Sequence, residues 1–589
     1  MQKRWVLREA DERCVSLLSE TLNVQPLVAR ILVHRGLAEP EVARRFLSSS
    51  LRSDLPSPFL MAGMEKAVER LAGAIERKEL ICVWGDYDVD GTTGTAALVS
   101  FLKSVGCNAS YYVPHRINEG YGLNAEALTV LHGQGVRVVV SVDCGVSNYK
   151  EVELAQDLGI DVVIVDHHEP PQVLPPAVAI LNPHQLDCPF PDKGLCGAGL
   201  AFYLIIGLRA KLREMGWFNQ SETPDIRRYL DIVTLGTIAD MVPLKGVNRV
   251  LARRGLEELG GSTRPGILAL KRVAGIAEGA IGVGQVAFRL GPRINAAGRM
   301  DAGLKVVEML TTDSSDIALR IAQELDEHNR ERQAMEARVL EKALAQVGTE
   351  LGDRYSIVLG EEGWHPGVLG IVASRIVEKF HRPTVVVGFS QGEGKGSARS
   401  IRGFHMVEGL RRCADCLEKF GGHEYAGGLS VREAKFPSFM ERFEETARAF
   451  LTREALEPII DVDALLDFSQ IGLPLFRQLE ALQPFGVGNP EPLLMTQAVE
   501  VCERRDFTGG SRFRLRQAGR TLSAVVFGLG FGTSAHESVE GISSRPDTLS
   551  SLLVLGAKAD VIYRLCENKW DGTTAMELKI VDARCSAGS

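Results

Sequence analysis

Five short apolar runs recur between residues 79 and 185, and each is followed by a polar turn and a segment with helical spacing. The runs are ELICVW (79–84), ASYYV (109–113), VRVVVSV (136–142), IDVVIV (160–165) and AVAIL (177–181). The intervening segments, such as TGTAALVSFLKSVG and SNYKEVELAQDLG, place apolar residues three or four apart and end with glycine. Strands that alternate with helices favour a parallel sheet covered on both faces. We therefore predict an α/β fold for this part of the chain.

The remainder of the chain changes pattern twice. Residues 314–346 carry dense charges around helically spaced apolar positions without glycine or proline, which predicts one helix of roughly 50 Å at about 1.5 Å per residue. RYSIVLG and RPTVVVGF predict strands of a second, smaller α/β unit. Short alternating segments such as FRLRQAG and TAMELKIVDA then predict a C-terminal antiparallel β-barrel. The predicted domains are an N-terminal helical segment (1–75), a catalytic α/β domain (76–300), a connecting long helix (301–348), a smaller α/β domain (349–452) and an OB-like barrel (453–589).

Length and composition narrow the class of protein. A chain of 589 residues, 45% hydrophobic and 24% charged, is an ordinary globular chain too long for a single core. The first residues, MQKRWVLREADERC, lack the apolar stretch of a signal peptide, and no run of about 18 apolar residues follows. We therefore expect a cytoplasmic protein without a membrane partner. The net charge of −8 gives no support to nucleic-acid binding, but it does not exclude such binding, because the local field of a groove decides it.

Carboxylates and imidazoles follow three of the predicted strands and one apolar helical segment. The motifs are GDYDVDG, SVDCGVSN, VDHHEPP and GTIADMVPL. The residues concerned are Asp86, Asp88, Asp90, Asp143, Asp166, His167, His168 and Asp240. Ligands of parallel sheets bind beyond the carboxyl ends of the strands, so we expect these side chains to share one rim.

A divalent metal centre is the interpretation that accounts for this acidic rim. Each aspartate alone is compatible with a helix cap or a turn. Together, like charges at one rim repel unless a cation neutralises them. Carboxylate and imidazole ligands favour Mn²⁺ or Mg²⁺ over structural zinc, and two ions that share a bridging carboxylate suit phosphoryl transfer to water. Gly91 is expected in a tight turn before a helix whose first amides, near Thr92 and Thr93, face an anion.

Glycine-bearing motifs and basic residues suggest further contacts with phosphate. GWHPGVLGIVASRI, GKGSARS and FGGHEYAGG fall in the second α/β unit. Glycine lets the backbone approach a phosphate, and Arg375, Arg399 and His423 could supply charge, although each motif alone is compatible with an ordinary turn. In the predicted barrel, Phe513 and the arginines on either side of it could bind a single strand. A solvated strand face explains these barrel residues equally well.

The four acidic motifs closely resemble the motif series of the DHH phosphoesterase superfamily, and GGHEYAGG resembles its companion DHHA1 domain. More narrowly, VPHRINEGYGLN, GPRINAAGRMDAG and PFGVGNPEP resemble the RecJ single-strand-specific exonucleases. The resemblance covers about residues 20 to 585. It implies a metal-dependent exonuclease that hydrolyses single-stranded DNA from 5′ to 3′ and releases 5′-mononucleotides, with Mn²⁺ or Mg²⁺, in recombination and repair.

The resemblance also implies roles for individual residues. The implied metal ligands are Asp88, Asp90, Asp143, His167 and Asp240, with Asp143 as the bridge. Asp86 is implied to ligate a metal or to support the ligands, His168 to contact the scissile phosphate and Asp166 to orient the histidines. The positions associated with the DNA backbone or its 5′ phosphate are Arg116, Arg293, Arg299, Ser397, Arg399 and His423.

One position departs from the pattern, and two alternative functions stay open. In some relatives a histidine two places before the first aspartate ligates a metal; here Trp84 stands there, so we expect one ion to bind weakly until substrate arrives. A superfamily phosphodiesterase of short oligonucleotides or cyclic dinucleotides is one alternative, although the barrel and GPRINAAGRM favour a longer polymer. A catalytically inactive scaffold is the other, and the intact ligand set argues against it. The resemblance implies a helicase and single-strand-binding protein as partners, and we expect a monomer.

Overall fold

The protein is described by a computed structural model that divides into two compact units. The described residues are 3–116, 118–219, 222–277, 279–299, 303–348, 351–527, 546–570 and 573–586. The larger unit contains Asp11–Asn329 and Arg477–Glu491, and the other contains Met1–Ala10, Arg330–Phe476 and Pro492–Ser589. Among the described residues, no helix has both the length and the apolar character needed to cross a membrane.

The N-terminal part is helical apart from one short strand. Its elements are β1 (Arg4–Leu7), α1 (Glu12–Leu22), α2 (Pro26–His34), α3 (Pro40–Ser48) and α4 (Met64–Glu76). The Asp11 side chain caps α1 by accepting a hydrogen bond from the Arg13 N–H, and a proline opens each of α2 and α3. Local sequence therefore determines where these helices begin.

A five-stranded parallel sheet forms the centre of the larger unit, which confirms the predicted α/β fold. Its strands are β2 (Leu80–Gly85), β3 (Ala109–Tyr112), β4 (Val136–Val142), β5 (Asp161–Val165) and β6 (Ala179–Leu181), in the order β3-β2-β4-β5-β6. Successive residues of β2 enter different cores: Ile81 and Val83 pack in one, and Cys82 and Trp84 in the other. Both faces of the sheet are buried, which explains the nearly continuous apolar runs.

Ten α-helices lie between residues 89 and 311 in the described part of the larger unit. They are α5 (Val89–Ser104), α6 (Ala125–Gly133), α7 (Tyr149–Asp157), α8 (Gly197–Glu214), α9 (Leu230–Ala239), α10 (Gly246–Gly260), α11 (Pro265–Val273), α12 (Val283–Gln285), α13 (Gly291–Arg299) and α14 (Gly303–Thr311). Of these, α5, α6, α7 and α8 contact the strands of the sheet. Helices α5, α8 and α9 pack against one another and are buried over most of their length. A helix that is apolar on all sides belongs in a core, and these three carry functional residues at their ends.

A buried arginine ties residues 477–491 into the same unit. Arg249 is 1% exposed, and its guanidinium lies 3.6 Å from the centre of the Phe46 ring. It donates hydrogen bonds of 2.7 to 3.2 Å to the carbonyl oxygens of Phe46, Ala481, Leu482 and Gln483. The Leu244 N–H also donates to the Val487 carbonyl at 2.8 Å. The turn that follows Asp240 is thus supported by a segment more than 200 residues away in sequence.

The predicted long helix is confirmed as one continuous element. Helix α15 (Ser315–Val347) contains 33 residues and begins in the larger unit and ends in the other. At about 1.5 Å per residue its length is roughly 50 Å.

The second α/β region is built on a mixed five-stranded sheet. Its elements are β7 (Ile357–Glu362), α16 (Pro366–Phe380), β8 (Thr384–Ser390), β9 (Glu393–Arg399), α17 (Met406–Arg411), β10 (Lys419–Gly422), β11 (Ala426–Arg432) and α18 (Phe436–Phe450). The strand order is β10-β11-β9-β8-β7; β7 and β8 pair in parallel, and the other pairs are antiparallel. All of GKGSARS except its last serine lies within β9, and GGHEYAGG spans the hairpin from β10 to β11.

The C-terminal region contains the predicted barrel. Its elements are β12 (Ile459–Val462), β13 (Ala464–Leu465), α19 (Leu473–Glu480), β14 (Leu494–Phe507), β15 (Gly510–Gln517), β16 (Arg520–Phe527), α20 (Pro546–Leu552), β17 (Lys558–Trp570) and β18 (Thr573–Cys585). The order β14-β15-β16-β18-β17 closes through pairing of β17 with β14. The pairs of the closed ring are antiparallel except β16 with β18. Strand β12 also pairs in parallel with β1.

Phe513, considered above as a possible contact for a single strand, is buried and does not serve as one. Side chains alternate along β15, and this places Phe513 inside the barrel at 1% exposure. Arg512 and Arg514 point outward and are exposed. The aromatic ring therefore stabilises the barrel core, and only the arginines can meet a ligand on this strand.

Candidate functional site

The structure gathers the predicted acidic and imidazole side chains at the carboxyl ends of β2, β4 and β5, and Asp240 joins them from the end of α9. Three overlapping groups have potential ligand atoms within 4.8 Å of one another. The groups are Asp86 with Asp88 and Asp143, Asp90 with His167 and Asp240, and Asp143 with His167 and His168. Asp143 and His167 each belong to two groups, so they join the others into one cluster.

Helix α5 begins inside the first acidic motif. The Asp88 side chain caps the helix by accepting a hydrogen bond from the Gly91 N–H at 3.1 Å. The expectation that Gly91 forms a turn before the helix was therefore wrong, since Gly91 lies in the first turn. A Cβ atom at Gly91 would lie 2.6 Å from the Asp86 nitrogen, so glycine is required by close approach of the backbone. The Val89 N–H donates to Asn295 Oδ1 at 3.3 Å, so two of the first amides of α5 already have acceptors within the protein.

Asp90 is held by the beginning of a different helix. Its Oδ2 and Oδ1 atoms accept hydrogen bonds from the N–H groups of Gly197 (2.5 Å) and Ala198 (2.9 Å) in the first turn of α8. The positive end of the α8 dipole therefore faces this carboxylate. A Cβ at Gly197 would lie 2.7 Å from Asp143 Cβ and 2.9 Å from Asp90 Oδ2. Sequence reasoning missed this contact, and the small residues of LCGAGLAF at the beginning of an apolar helix were the available signal.

Asp143 lies at the centre of the cluster in an unusual backbone conformation. Its φ angle is +65°, in the left-handed region, and its side chain is buried. His167 Nε2 is 3.1 Å from Asp143 Oδ1 and 3.7 Å from Asp240 Oδ2. Burial raises the pKa of Asp143 well above its usual range, and the charges of Asp90, Asp88 and Asp240 raise it further. A carboxylate in this position is stable only with a cation or a proton.

The two histidines have different surroundings. Burial lowers the pKa of His167, which favours the neutral imidazole that a metal requires. His168 is half exposed, and its Nδ1 is 2.7 Å from Asp166 Oδ1. This hydrogen bond raises the pKa of His168. Burial would raise the pKa of Asp166, but the hydrogen bonds from His168 and from the Val146 N–H (3.0 Å) bring it below its usual value.

The donor set fits divalent cations. Burial, with the charge of Asp88, raises the pKa of Asp86 to about 7, and its Oδ1 accepts no hydrogen bond from the described residues. Burial, with the charges of Asp90 and Asp88, raises the pKa of Asp240 to about 9. Buried carboxylates with oxygen atoms left unsatisfied are typical of sites that a hard cation completes. The grouping of Asp86 with Asp88 and Asp143 gives Asp86 the position of a direct ligand.

Metal binding should strengthen and stabilise the fold more as pH rises. The pKa values of Asp86, Asp143 and Asp240 are higher in the fold than in the unfolded chain. Their protonated forms therefore stabilise the metal-free fold fully below about pH 4, and this contribution to the free energy of unfolding is lost as pH rises toward 9. A cation requires the deprotonated forms, so its affinity should increase over the same range, about tenfold per pH unit for each proton released. Thermal unfolding at pH 6, 7, 8 and 9, in EDTA or in excess Mg²⁺, measures both trends. A Mg²⁺-induced increase in Tm that does not change with pH would contradict this prediction.

Two aromatic residues, Tyr121 and Trp84, lie near the cluster, and only the structure shows their contacts. Tyr121 was not predicted as a site residue, yet its hydroxyl donates to the Asp143 carbonyl at 2.8 Å and lies 3.2 Å from His168 Nδ1. Trp84 is fully buried in the core, with its ring centre 4.4 Å from that of Tyr112. The expected weak binding of one ion stays a prediction.

The predicted phosphate contacts of the larger unit differ in their availability. Arg116 is exposed, and its guanidinium lies 4.9 Å from the centre of the Tyr87 ring. Tyr87 stands between Asp86 and Asp88 in the sequence. Arg293 is largely buried and pairs with Asp326 at 2.9 Å. The backbone of Arg299 ends α13, and its side chain lies outside the described part of the chain.

The predicted phosphate contacts of the other unit centre on β9. Ser397 and Arg399 are two residues apart on this strand, and both side chains lie close to Gly370 of α16. A Cβ added at Gly370 would lie 3.1 Å from Ser397 Oγ and 2.8 Å from Arg399 Nη2. Burial lowers the pKa of Arg399, and no carboxylate of the described residues pairs with it. His423 is exposed in the hairpin beside this strand. Arg375 lies 3.8 Å from Glu336 and 3.6 Å from Glu378 and is thus already neutralised.

The chain matches three protein families over most of its length. The DHH family, N-terminal domain, matches residues 80–237, and the DHHA1 domain matches residues 352–449. The RecJ OB domain matches residues 462–582. The first match contains the whole acidic and imidazole cluster except Asp240.

Several relatives are similar over nearly the full length of this chain. "Single-stranded-DNA-specific exonuclease RecJ" of Salmonella typhimurium is 36% identical over 602 residues, covering 99% of both chains. The protein of the same name from Escherichia coli is 40% identical over 501 residues, covering 82% of this chain and 85% of the relative. That of Bacillus subtilis is 36% identical, covering 99% of this chain and 71% of the relative.

Solved structures support the fold. RecJ from Thermus thermophilus in complex with Mn²⁺ has a TM-score of 0.80 and 31% identity, covering 99% of this chain and 80% of that one. The same protein in complex with Mg²⁺ has a TM-score of 0.74 and 30% identity, covering 99% and 79%.

Proposed function

Because this chain belongs to the RecJ family of DHH phosphoesterases, we propose that it is a single-stranded-DNA-specific exonuclease that requires divalent metal ions. The observation that carries the proposal is the set of three overlapping ligand groups, with Asp143 and His167 each common to two of them. The relatives bear this activity in their names, and solved relatives were obtained with Mn²⁺ and with Mg²⁺. The catalytically inactive scaffold does not explain why this complete cluster is present.

The finer features of the reaction are part of the same proposal. We expect digestion from 5′ to 3′ with release of 5′-mononucleotides, in recombination and repair. Two ions, Mn²⁺ or Mg²⁺, would be held by Asp88, Asp90, Asp143, His167 and Asp240, and the position of Asp86 supports adding it as a sixth ligand. When bound, the ions would supply activation of the attacking water and neutralisation of charge on the phosphate.

Side chains and backbone amides of the protein would hold the metal ligands in place and orient the scissile phosphate. Asp143 would be shared between the two ions, a role that its membership of two ligand groups supports. The α8 amides hold Asp90 through two hydrogen bonds. Asp166 engages His168 Nδ1, which leaves Nε2 as the ring nitrogen for the substrate. Since the pKa of His168 is raised, this imidazole can donate a hydrogen bond to a phosphate oxygen near neutral pH.

Exposed or unpaired cations define where the DNA backbone is proposed to bind. Arg116 is a candidate for the 5′ phosphate in the larger unit, and Ser397, Arg399 and His423 are candidates in the other. Burial of the Arg399 guanidinium without a carboxylate supports its role, because an anionic ligand would satisfy it. Arg293 and Arg375 are less available, because each already lies beside acidic residues.

The setting of the enzyme is also a proposal. We propose that it works as a monomer in the cytoplasm, with a helicase and single-strand-binding protein as partners, as the family resemblance implies. The domain boundaries near residues 76, 301, 349 and 453 belong to the same proposal.

Digestion of end-labelled 30-mers tests the function. Single strands with a 5′ phosphate, single strands with a 5′ hydroxyl, duplexes and a dinucleotide are each incubated with Mn²⁺, Mg²⁺ or EDTA. We expect mononucleotides from the single strands with either metal and none in EDTA. Preferential hydrolysis of the dinucleotide would support a phosphodiesterase of short oligonucleotides instead, and full activity in EDTA would overturn the metal-dependent mechanism.

A further inference from the structure

The loop between β3 and α6 carries an acidic residue, Glu119, that the proposed reaction does not use. Both oxygens of Glu119 accept hydrogen bonds. The Tyr112 hydroxyl and Asn124 Nδ2 (3.2 Å) donate to Oε1, and the His115 N–H donates to Oε2 at 2.7 Å. Tyr112 ends β3 and Asn124 caps α6, so one carboxylate connects the two ends of the loop with its interior.

This loop reaches the candidate site at two points on either side of Glu119. Arg116 follows His115 directly and lies over the Tyr87 ring. Tyr121 follows two residues after Glu119, and its hydroxyl contacts the Asp143 carbonyl and His168 Nδ1. The conformation that Glu119 holds is therefore the one that brings both side chains to the acidic cluster.

Among the described residues between these two contacts, apolar burial contributes little to the order of the loop. Arg116, Asn118, Glu119 and Tyr121 are exposed, and Gly120 and Gly122 have φ angles of +83° and +89°. Glycine adopts this conformation readily but also leaves it readily. Polar contacts must then select one conformation, and hydrogen bonds to a charged acceptor are the strongest of that kind in the loop.

We propose that Glu119 is a positioning residue that fixes Arg116 for recognition of the 5′ phosphate of the DNA. This inference rests on the proposed function, in which Arg116 binds that phosphate. We expect Glu119 to act on end recognition more than on the chemical step, because it contacts none of the candidate metal ligands and Tyr121 keeps its own hydrogen bond to the Asp143 carbonyl.

Steady-state kinetics of E119A, E119Q and the control E126A test the proposal. Glu126 lies in the first turn of α6, is exposed, and makes no side-chain hydrogen bond or ion pair within the described part of the chain; its removal causes the same change in charge. With a 5′-phosphorylated 30-mer, E119A should raise KM about tenfold and change kcat less than about threefold. E119Q keeps one acceptor and should show a smaller increase, while E126A should match the wild type.

The preference for a 5′ phosphate over a 5′ hydroxyl separates positioning from a general loss of structure. E119A should reduce this preference, but in an R116A background it should change the remaining preference no further. If E119A does not fold, E119Q and Y112F decide, since Y112F removes one hydrogen bond and keeps the ring against Trp84. A wild-type KM and preference in these variants, or an added loss of preference in R116A, would overturn the inference. A wild-type protein that does not digest single strands would instead overturn the proposed function.

Discussion

Replacing Asp143 with alanine should abolish turnover while the protein remains folded. Asp143 is common to two of the three ligand groups and lies 3.1 Å from His167. Loss of a shared ligand removes several kcal/mol of charge stabilisation, which corresponds to a decrease in kcat of about 1,000-fold or more. The metal-free protein should not lose stability through charge, because burial and then the neighbouring carboxylates raise the pKa of Asp143 and oppose its ionisation.

D143N separates the charge from the backbone conformation. Asparagine tolerates the left-handed region in which Asp143 lies, whereas alanine adopts it with strain. Both variants should be inactive on a 5′-phosphorylated single strand, and D143N should keep the wild-type Tm in EDTA. D157A, at an exposed helix end, is the control for loss of one carboxylate. Wild-type kcat in D143N would refute the role of Asp143 as a shared ligand.

Replacing Gly197 with alanine should reduce kcat about 100-fold, although no functional group is removed. The new methyl group would lie 2.7 Å from Asp143 Cβ and 2.9 Å from Asp90 Oδ2, and so one of these side chains must move. A displacement of about 1 Å in a catalytic group costs about two orders of magnitude in rate. Because the α8 amides also orient Asp90, the Mn²⁺ concentration needed for half-maximal activity should rise as well.

G199A, two residues further along α8, provides the matched control. A Cβ there would lie 3.1 Å from Leu195 Cδ2, the end of a flexible side chain that can adjust. G199A should therefore keep nearly wild-type activity, and both variants should form α8 because alanine favours helix. The prediction fails if G197A and G199A have the same kcat and the same dependence on Mn²⁺.

The sequence predicted regular elements where one periodicity continued without interruption. The strands of the central sheet and α15 were found because their apolar positions repeat regularly. Strand β14 was missed: its pairing with β15 shifts register between Val501 and Glu503, and that with β17 shifts between Thr496 and Val499. Each shift reverses the face that a side chain occupies, which breaks the alternation.

The glycines of GKGSARS were considered for phosphate contact or for an ordinary turn, but Gly394 and Gly396 belong to strand β9. A Cβ at Gly394 would lie 2.6 Å from Phe389 Cε1, and one at Gly396 would lie 3.0 Å from Leu429. These glycines therefore make room for large neighbouring side chains within the sheet. For Gly396 a short segment does not show the reason, because Leu429 comes more than 30 residues later.

The aspartates and histidines of the site were predictable because parallel strands deliver their carboxyl ends to the same rim. Their supports were not predictable, since the Gly197 amide that holds Asp90 is 107 residues away. The same limit applies to Arg293, whose charge the sequence could not show to be occupied by Asp326. Local pattern therefore identified which groups could do chemistry, because composition and strand position are properties of short segments. Packing between distant segments decides which of these groups remain available, how they are oriented and which backbone amides hold them. This packing cannot be read from a short segment, because it depends on contacts between residues far apart in sequence.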